Sequence, residues 1–205
     1  ERRAAPAALD ELARPEWAGR LVVPNPATSS PGLGFLLATI GGLGEGPAFD
    51  WWARMRANGL KVVKGWSEAY YTEFSRNGGT RPLVVSYASS PAAELFYAKD
   101  KPAEPPTANL YLPGGVYRQV EGVALVRGGG QREAAGRFIE WLRGPAAQQA
   151  LQTEMWMLPA ERGAPVAEAL RGVPPPARTD NPEPAQVAAR SAEWVARWTR
   201  VVLKG

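Results

Sequence analysis

Residues 20–37 run Arg20-Leu21-Val22-Val23-Pro24-Asn25-Pro26-Ala27-Thr28-Ser29-Ser30-Pro31-Gly32-Leu33-Gly34-Phe35-Leu36-Leu37. A β-branched run leads through a short polar loop into a helix start, and this grammar decides the fold class. Val-rich runs bounded by turn residues suit buried strands. Ser followed by Pro marks a helix start. The Ser side chain caps an orphan N–H, and Pro fits the first turn, where no N–H is needed. The grammar recurs twice. Leu60-Lys61-Val62-Val63-Lys64 passes through Gly65-Trp66 into Ser67-Glu68-Ala69-Tyr70-Tyr71-Thr72-Glu73-Phe74. Leu83-Val84-Val85-Ser86-Tyr87 passes through Ala88-Ser89 into Ser90-Pro91-Ala92-Ala93-Glu94-Leu95-Phe96. Three such repeats predict an α/β domain with a largely parallel or mixed sheet flanked by helices.

Helices are expected around this frame. Residues 6–13 read as a short helix with Leu9 and Leu12 on one face, and residues 50–58 as another, ended by Asn58-Gly59. Gly41, Gly42, Gly44 and Gly46 lack the G-x-G-x-x-G spacing and no strand leads into them, so they read as a turn. Trp51 and Trp52, being adjacent on a helix, point to different faces, so at most one is expected at a given buried place. Tyr70, Tyr71 and Phe74 read as helix packing. After an irregular Pro-rich stretch, residues 117–126 read as one long strand stopped by Gly128-Gly129-Gly130. The remainder is helix and loop. Ala135, Phe138, Ile139 and Leu142 recur at helical spacing, and Pro145 opens a further helix to about Gln152. Val187, Ser191, Trp194, Val195, Trp198, Val201 and Val202 stripe a long C-terminal helix. These helices carry more apolar surface than the strands beside them can cover.

Composition excludes several classes. With 45% hydrophobic residues, eight Trp, six Tyr and five Phe in 205 residues, the chain is not a disordered one. It has no Cys, hence no disulfide and no thiolate metal site, and no His, hence no Ser-His-Asp triad. No apolar run approaches the roughly 20 residues that span a bilayer. The net charge of +4 is spread evenly, with 13 basic and 11 acidic residues in 1–118 and 11 and 9 in 119–205. A nucleic-acid footprint would cluster its basic residues, so no nucleic acid is expected as a partner. Glu1-Arg2-Arg3 leads into Ala/Pro-rich sequence without an apolar signal core, so the sequence is expected to be processed or truncated.

In open α/β sheets, ligands bind outside the carboxyl ends of the strands. Those ends are Thr28-Ser29-Ser30, Gly65-Trp66 and Tyr87-Ala88-Ser89-Ser90. Hydroxyl-rich helix N-termini favour an anionic or accepting group, while Trp66 and Tyr87 supply aromatic faces that attract a cation. The combination suits a flat heteroaromatic ligand, cationic or phosphorylated. Each residue also has a plainer role: Ser-Ser-Pro as a helix cap, Trp66 as core. A hydrolase using Ser29, Ser30, Ser89 or Ser90, with Lys61 or Lys64 as base, is the rival. It lacks both the G-x-S-x-G elbow and S-x-x-K.

Three motifs, taken together, resemble the thiamine-binding periplasmic protein family of bacterial ABC importers. They are Asn25-Pro26-Ala27-Thr28-Ser29-Ser30-Pro31-Gly32-Leu33, Lys64-Gly65-Trp66-Ser67-Glu68-Ala69-Tyr70 and Ser86-Tyr87-Ala88-Ser89-Ser90-Pro91-Ala92. Leu9-Asp10-Glu11-Leu12 with Pro15-Glu16-Trp17-Ala18-Gly19-Arg20, Tyr117-Arg118-Gln119-Val120-Glu121 and Met155-Trp156-Met157-Leu158-Pro159 extend the likeness over nearly the whole chain.

The resemblance implies a type II periplasmic-binding fold. Residues 1–118 would be a nearly complete ligand-binding lobe, 119–126 a hinge crossover strand, and 127–205 the C-terminal helices of the other lobe. On this view the chain is the C-terminal portion of a longer protein, and an acidic residue that faces the thiazolium lies outside it. The resemblance also implies that Ser29, Ser30, Trp66, Tyr87, Ala88, Ser89, Ser90, Pro91 and Trp156 touch the ligand. Where the family often has a second Tyr, this chain has Ala93. The implied activity is capture of thiamine or its mono- or diphosphate in the periplasm, as a monomer without cofactor, metal or catalysis. Delivery would be to an ABC permease and its ATPase. Another small ion, such as a polyamine or a ferric-anion complex, is the alternative cargo.

Overall fold

The computed structural model describes residues 4–205; Glu1, Arg2 and Arg3, the start of the segment expected to lack a leader, lie outside the described residues. In chain order the elements are α1 (Leu9–Leu12), a 3-10 turn (Pro15–Trp17), β1 (Leu21–Pro24), α2 (Ser30–Leu43), α3 (Glu45–Ala57) and β2 (Lys61–Val63). Next come α4 (Trp66–Glu68), continued as a π-helical turn (Ala69–Glu73), a 3-10 turn (Ser75–Asn77), β3 (Leu83–Val84) and α5 (Ser90–Tyr97). Then follow α6 (Arg132–Arg143), α7 (Pro145–Glu154), α8 (Glu168–Arg171) and α9 (Pro184–Trp198), the last running into a second π-helical turn (Thr199–Lys204). The chain packs into two units. One comprises Glu1–Tyr87, Leu110–Gln119 and Pro176–Gly205, the other Ala88–Asn109 and Val120–Pro175. This grouping follows different boundaries from the lobes expected at 1–118 and 127–205.

The first unit holds the sheet, with strand order β2-β1-β3. Both pairings are parallel, Val22 opposite Lys61 on one side and Val84 on the other, so the sheet is parallel and not mixed. All four residues of β1 are buried, as a central strand covered on both faces requires. The run expected to continue through Tyr87 pairs only over Leu83–Val84, with one further bond from the Val85 N–H to the Val22 carbonyl at 3.1 Å. Pro24 explains the stop: it has no N–H to offer the third strand. Ser86 and Tyr87 are thereby released from the ladder.

Helix α2 runs on to Leu43 and takes in Gly41 and Gly42, which were expected in a turn. A Cβ on Gly41 would overlap the Asp180 carbonyl and one on Gly42 would overlap Gly114, so these glycines serve close packing. The break comes at Gly44, with φ of 85°, and α3 begins at once, ahead of the expected Asp50. Trp51 and Trp52 are both fully buried in the same core, contrary to the expectation of at most one. Their rings meet edge-to-face at 5.0 Å, with Phe35 at 6.0 and 5.5 Å and Trp198 of α9 at 5.5 Å from Trp52. Helices cover this core on more than one side, so two faces of α3 are interior. Trp194, Trp198 and Val202 bring the C-terminal stripe into it. The surplus apolar surface of α9 is thus taken up within the first unit.

Residues 117–126, expected as a strand, form none. The backbone of 114–118 is engaged elsewhere. Asp180 Oδ2 accepts the Gly114 and Val116 N–H groups at 2.9 and 3.2 Å, and Asn181 exchanges two bonds of 2.9 Å with the Arg118 backbone. Val120 and Val126 are each 80% exposed, and a strand cannot form where no neighbour supplies a ladder.

In the second unit, buried Gln148 and Gln152 hold the loop that follows α7. Gln148 Oε1 accepts from Ala160 N at 2.9 Å and Gln152 Oε1 from Ala167 N at 2.7 Å. No helix among the described residues is long and apolar enough to cross a membrane.

Candidate functional site

In the first unit the carboxyl ends of β1 and β2 are tied together. The Thr28 hydroxyl donates to the Lys64 carbonyl at 2.6 Å, and Asn25 N–H donates to the Val63 carbonyl at 2.8 Å. This places Ser29 and Ser30, at the start of α2, on the loop joined to the one that carries Trp66. Gly32 allows the approach, since a Cβ there would overlap the Pro24 carbonyl oxygen. Ser29 is the N-cap residue in extended conformation, but its side chain makes no capping hydrogen bond, and neither does Ser89 ahead of α5. The expected capping role is therefore not taken up at either position. Pro31 and Pro91 remove one orphan N–H each from those first turns, which lessens the need for a side-chain cap.

Trp66 is the centre of an aromatic group. Its ring stacks on Tyr70 at 4.9 Å with 24° between planes, meets Tyr71 edge-on at 5.4 Å, and is tilted against Tyr87 at 5.9 Å. Its indole N–H donates to the Ser86 hydroxyl at 2.8 Å. The π-helical turn over Ala69–Glu73, closed by Phe74 N–H to the Ala69 carbonyl at 3.0 Å, brings the adjacent Tyr70 and Tyr71 to the same indole. Such turns are recurrent at functional positions. Tyr70 is buried as expected of helix packing, but Tyr71 is 60% exposed and Tyr87 43% exposed. These rings stand at the mouth of the sheet. At the base of the loop, the Glu68 carboxylate accepts the Lys64 N–H at 3.1 Å. Tyr71 had been expected in helix packing and Ser86 had not been expected at the site; Trp66 and Tyr70, four apart at a helix start, carried the available signal.

In the second unit Ala88, Ser89, Ser90 and Pro91 form the entry to α5. The Ala88 carbonyl accepts from the Asn109 side chain at 2.8 Å, and Ser89 and Ser90 are half-buried. Trp156 follows α7 with φ of 55° and packs against Phe96 and Tyr97, neither of which was anticipated. No group of three or more carboxylates that could hold a metal stands together among the described residues.

What the first unit can do chemically is therefore plain. It offers a flat aromatic surface with hydroxyls beside it at the carboxyl edge of a parallel sheet. This suits holding a planar ring.

Comparison with known proteins gives the family. The chain is 35% identical over 197 residues to the "Thiamine-binding periplasmic protein" of Salmonella typhimurium, covering 96% of this chain and 58% of that one. Among solved structures it matches a "Periplasmic thiamin binding protein" with a TM-score of 0.79 at 29% identity, over 98% of this chain and 60% of the other. A ferric binding protein from Campylobacter jejuni matches with a TM-score of 0.68 at 16% identity, covering 95% of this chain and 62% of that one, a likeness of fold alone. The chain thus spans about three-fifths of the length of these relatives. Residues 2–154 match the bacterial extracellular solute-binding protein family, and the chain belongs to that family.

Proposed function

We propose that this chain captures thiamine or its mono- or diphosphate outside the cytoplasm and passes it, chemically unchanged, to an ABC permease and its ATPase. The observation that carries the reading is the Trp66 group: an indole pinned by Ser86, backed by Tyr70 and flanked by exposed Tyr71 and Tyr87. A cationic thiazolium and a flat pyrimidine both gain from such faces. Ser29 and Ser30 stand on the neighbouring loop, at the N-terminus of a 14-residue helix whose free N–H groups favour an accepting or phosphate end. The family resemblance also proposes Ala88, Ser89, Ser90, Pro91 and Trp156 as ligand contacts. The relatives named for thiamine binding support this choice of cargo over other small ions. On this reading the protein acts by binding, as a monomer and without a cofactor.

Titration with thiamine while following Trp fluorescence tests this. The expected result is quenching that saturates at micromolar ligand and is lost in Trp66→Ala. Absence of thiamine binding by the parent chain and by the longer protein that contains it overturns the reading.

A further inference from the structure

The sequence holds two Asn-Gly pairs, Asn58-Gly59 and Asn77-Gly78. A glycine after asparagine has no Cβ to keep its backbone nitrogen away from the side-chain amide, which makes the pair chemically labile. The fold treats the two pairs differently. Asn58 is half-buried, and its side chain donates to the Leu12 and Arg14 carbonyls, each at 2.8 Å. Its own carbonyl accepts the Gly19 N–H at 2.8 Å, and a Cβ on Gly59 would lie 3.3 Å from Gly19. Neither that side chain nor that peptide can turn without breaking these contacts.

Asn77 and Gly78 are exposed, at the end of the 3-10 turn Ser75–Asn77. Among the described residues, nothing lies within 4 Å of where a Gly78 Cβ would stand. The Asn77 side chain donates to the Tyr70 carbonyl at 2.9 Å. Tyr70 belongs to the π-helical turn that brings it and Tyr71 to Trp66, at 4.9 and 5.4 Å. The rest of the loop is fastened to the end of the same turn. Ser75 N–H donates to the Arg81 carbonyl at 2.8 Å and Arg81 N–H to the Glu73 carbonyl at 2.9 Å, while a Cβ on Gly79 would overlap the Glu73 carbonyl. The Asn77 amide is thus the exposed end of a brace on the aromatic group.

We propose that Asn77 is a modification site, at which loss of the side-chain amide loosens the π-helical turn beside Trp66. The Gly78 nitrogen attacks Cγ of Asn77. The N–Cγ bond forms, the Cγ–Nδ2 bond breaks, and the displaced nitrogen leaves with the Gly78 proton as ammonia. Water opens the resulting cyclic imide at either carbonyl, giving aspartate or isoaspartate. Either product puts a carboxylate, which only accepts hydrogen bonds, opposite the Tyr70 carbonyl oxygen, which also only accepts. This chemistry is independent of what the protein carries.

The test is incubation of the folded chain in mildly alkaline buffer at physiological temperature, followed by tryptic peptide mapping. Cleavage after Arg56 and Lys61 releases residues 57–61, and cleavage after Arg76 makes Asn77 the first residue of another peptide. The Asn77 peptide is expected to gain the mass of the acid, and to become a substrate for isoaspartyl methyltransferase, about tenfold or more faster than the Asn58 peptide, since Asn58 reacts only after local opening. In urea the two are expected to convert alike. Equal rates in the folded chain, or a difference that persists in urea, overturn the site. Asn77→Gln, whose extra methylene disfavours the ring, is expected to keep its mass, and a gain there overturns the site as well. Asn77→Asp reproduces one product. Amide hydrogen exchange at Phe74, whose N–H closes the π-helical turn on the Ala69 carbonyl, is expected to quicken in it about fivefold, the scale of one neutral hydrogen bond. Parent-like exchange at Phe74 in Asn77→Asp overturns the link to the aromatic group.

Discussion

The indole N–H of Trp66 donates to the hydroxyl of Ser86 at 2.8 Å, across twenty residues of sequence. Ser86 is available because pairing of the third strand has already stopped beside Pro24. The bond fixes the plane of the ring against which Tyr70 stacks. Ser86→Ala removes the acceptor from a half-buried donor, a loss of about 1 kcal/mol for a neutral hydrogen bond. The expected outcome is a several-fold weaker thiamine affinity and a shifted Trp emission maximum, with the circular dichroism of the parent retained.

Thr28 and Lys64 give a second prediction. Their 2.6 Å bond joins the loops at the ends of β1 and β2. Thr28→Val keeps the side-chain shape and deletes the donor, again at a cost of about 1 kcal/mol. Amide hydrogen exchange at Gly65 and Trp66 is expected to quicken, while exchange in the buried part of α2 stays as in the parent.

Gly32 faces the Pro24 carbonyl too closely for any side chain. Gly32→Ala forces the first turn of α2 away from β1, and overpacking of this kind costs about 1–3 kcal/mol. Urea denaturation is expected to show that loss in the midpoint. Because the turn carries Ser29 and Ser30, ligand affinity falls as well. A variant with unchanged stability would show that α2 can slide at no cost.

Acid sensitivity is expected to trace to α3 and α9. Burial raises the Glu45 carboxyl, but hydrogen bonds and charge from Arg190, with Arg197 nearby, outweigh it and hold the group below the ordinary range. Glu193 is likewise lowered, chiefly by its hydrogen bond from Arg190. A carboxylate with a lowered folded-state pKa stabilises the fold above its unfolded value, and that contribution disappears as pH falls through the folded value. The stabilisation is therefore present at neutral pH and fades below the ordinary glutamate value of about 4.3. Glu45→Gln should be less stable than the parent at pH 7 and lose less on acidification. Denaturant midpoints measured at both ends of this range check it.

Much of the first unit was legible because its central strand is fully buried and all three strands are punctuated. Leu21-Val22-Val23 has no polar position, which a central parallel strand demands, and the polar loops after β1 and β2 fall at the expected places. The Trp66 and Tyr87 positions followed from the rule that strand ends carry sites. What stayed hidden depended on contacts distant in sequence. Gly41 and Gly42 have the composition of a turn, and only the approach of Asp180 and Gly114 reveals them as packing residues. Trp51 and Trp52 share one core because Trp198 arrives from the far end of the chain. Residues 117–126 have strand composition, but strand formation is a property of two segments, and Asn181 engages Arg118 while Asp180 holds Gly114 and Val116 just before it. The second unit's aromatic group was missed for a related reason: Trp156 lies about sixty residues from Phe96 and Tyr97 in the chain, and no local pattern announces that they meet.

The core of the first unit closes on its last residues. Glu45 waits for Arg190, 145 positions later, and Trp52 for Trp198. During synthesis, the paired tryptophans of α3 remain without this neighbour until residue 198 has been made. Residues 88–109 and 120–175 of the second unit are made earlier. Contacts of such long sequence separation come late and slowly in folding. The order of maturation is therefore inverted relative to the sequence: residues 4–87 of the first unit are completed only by residues 176–205, and loss of Trp198 or Val202 reaches directly into the core they share.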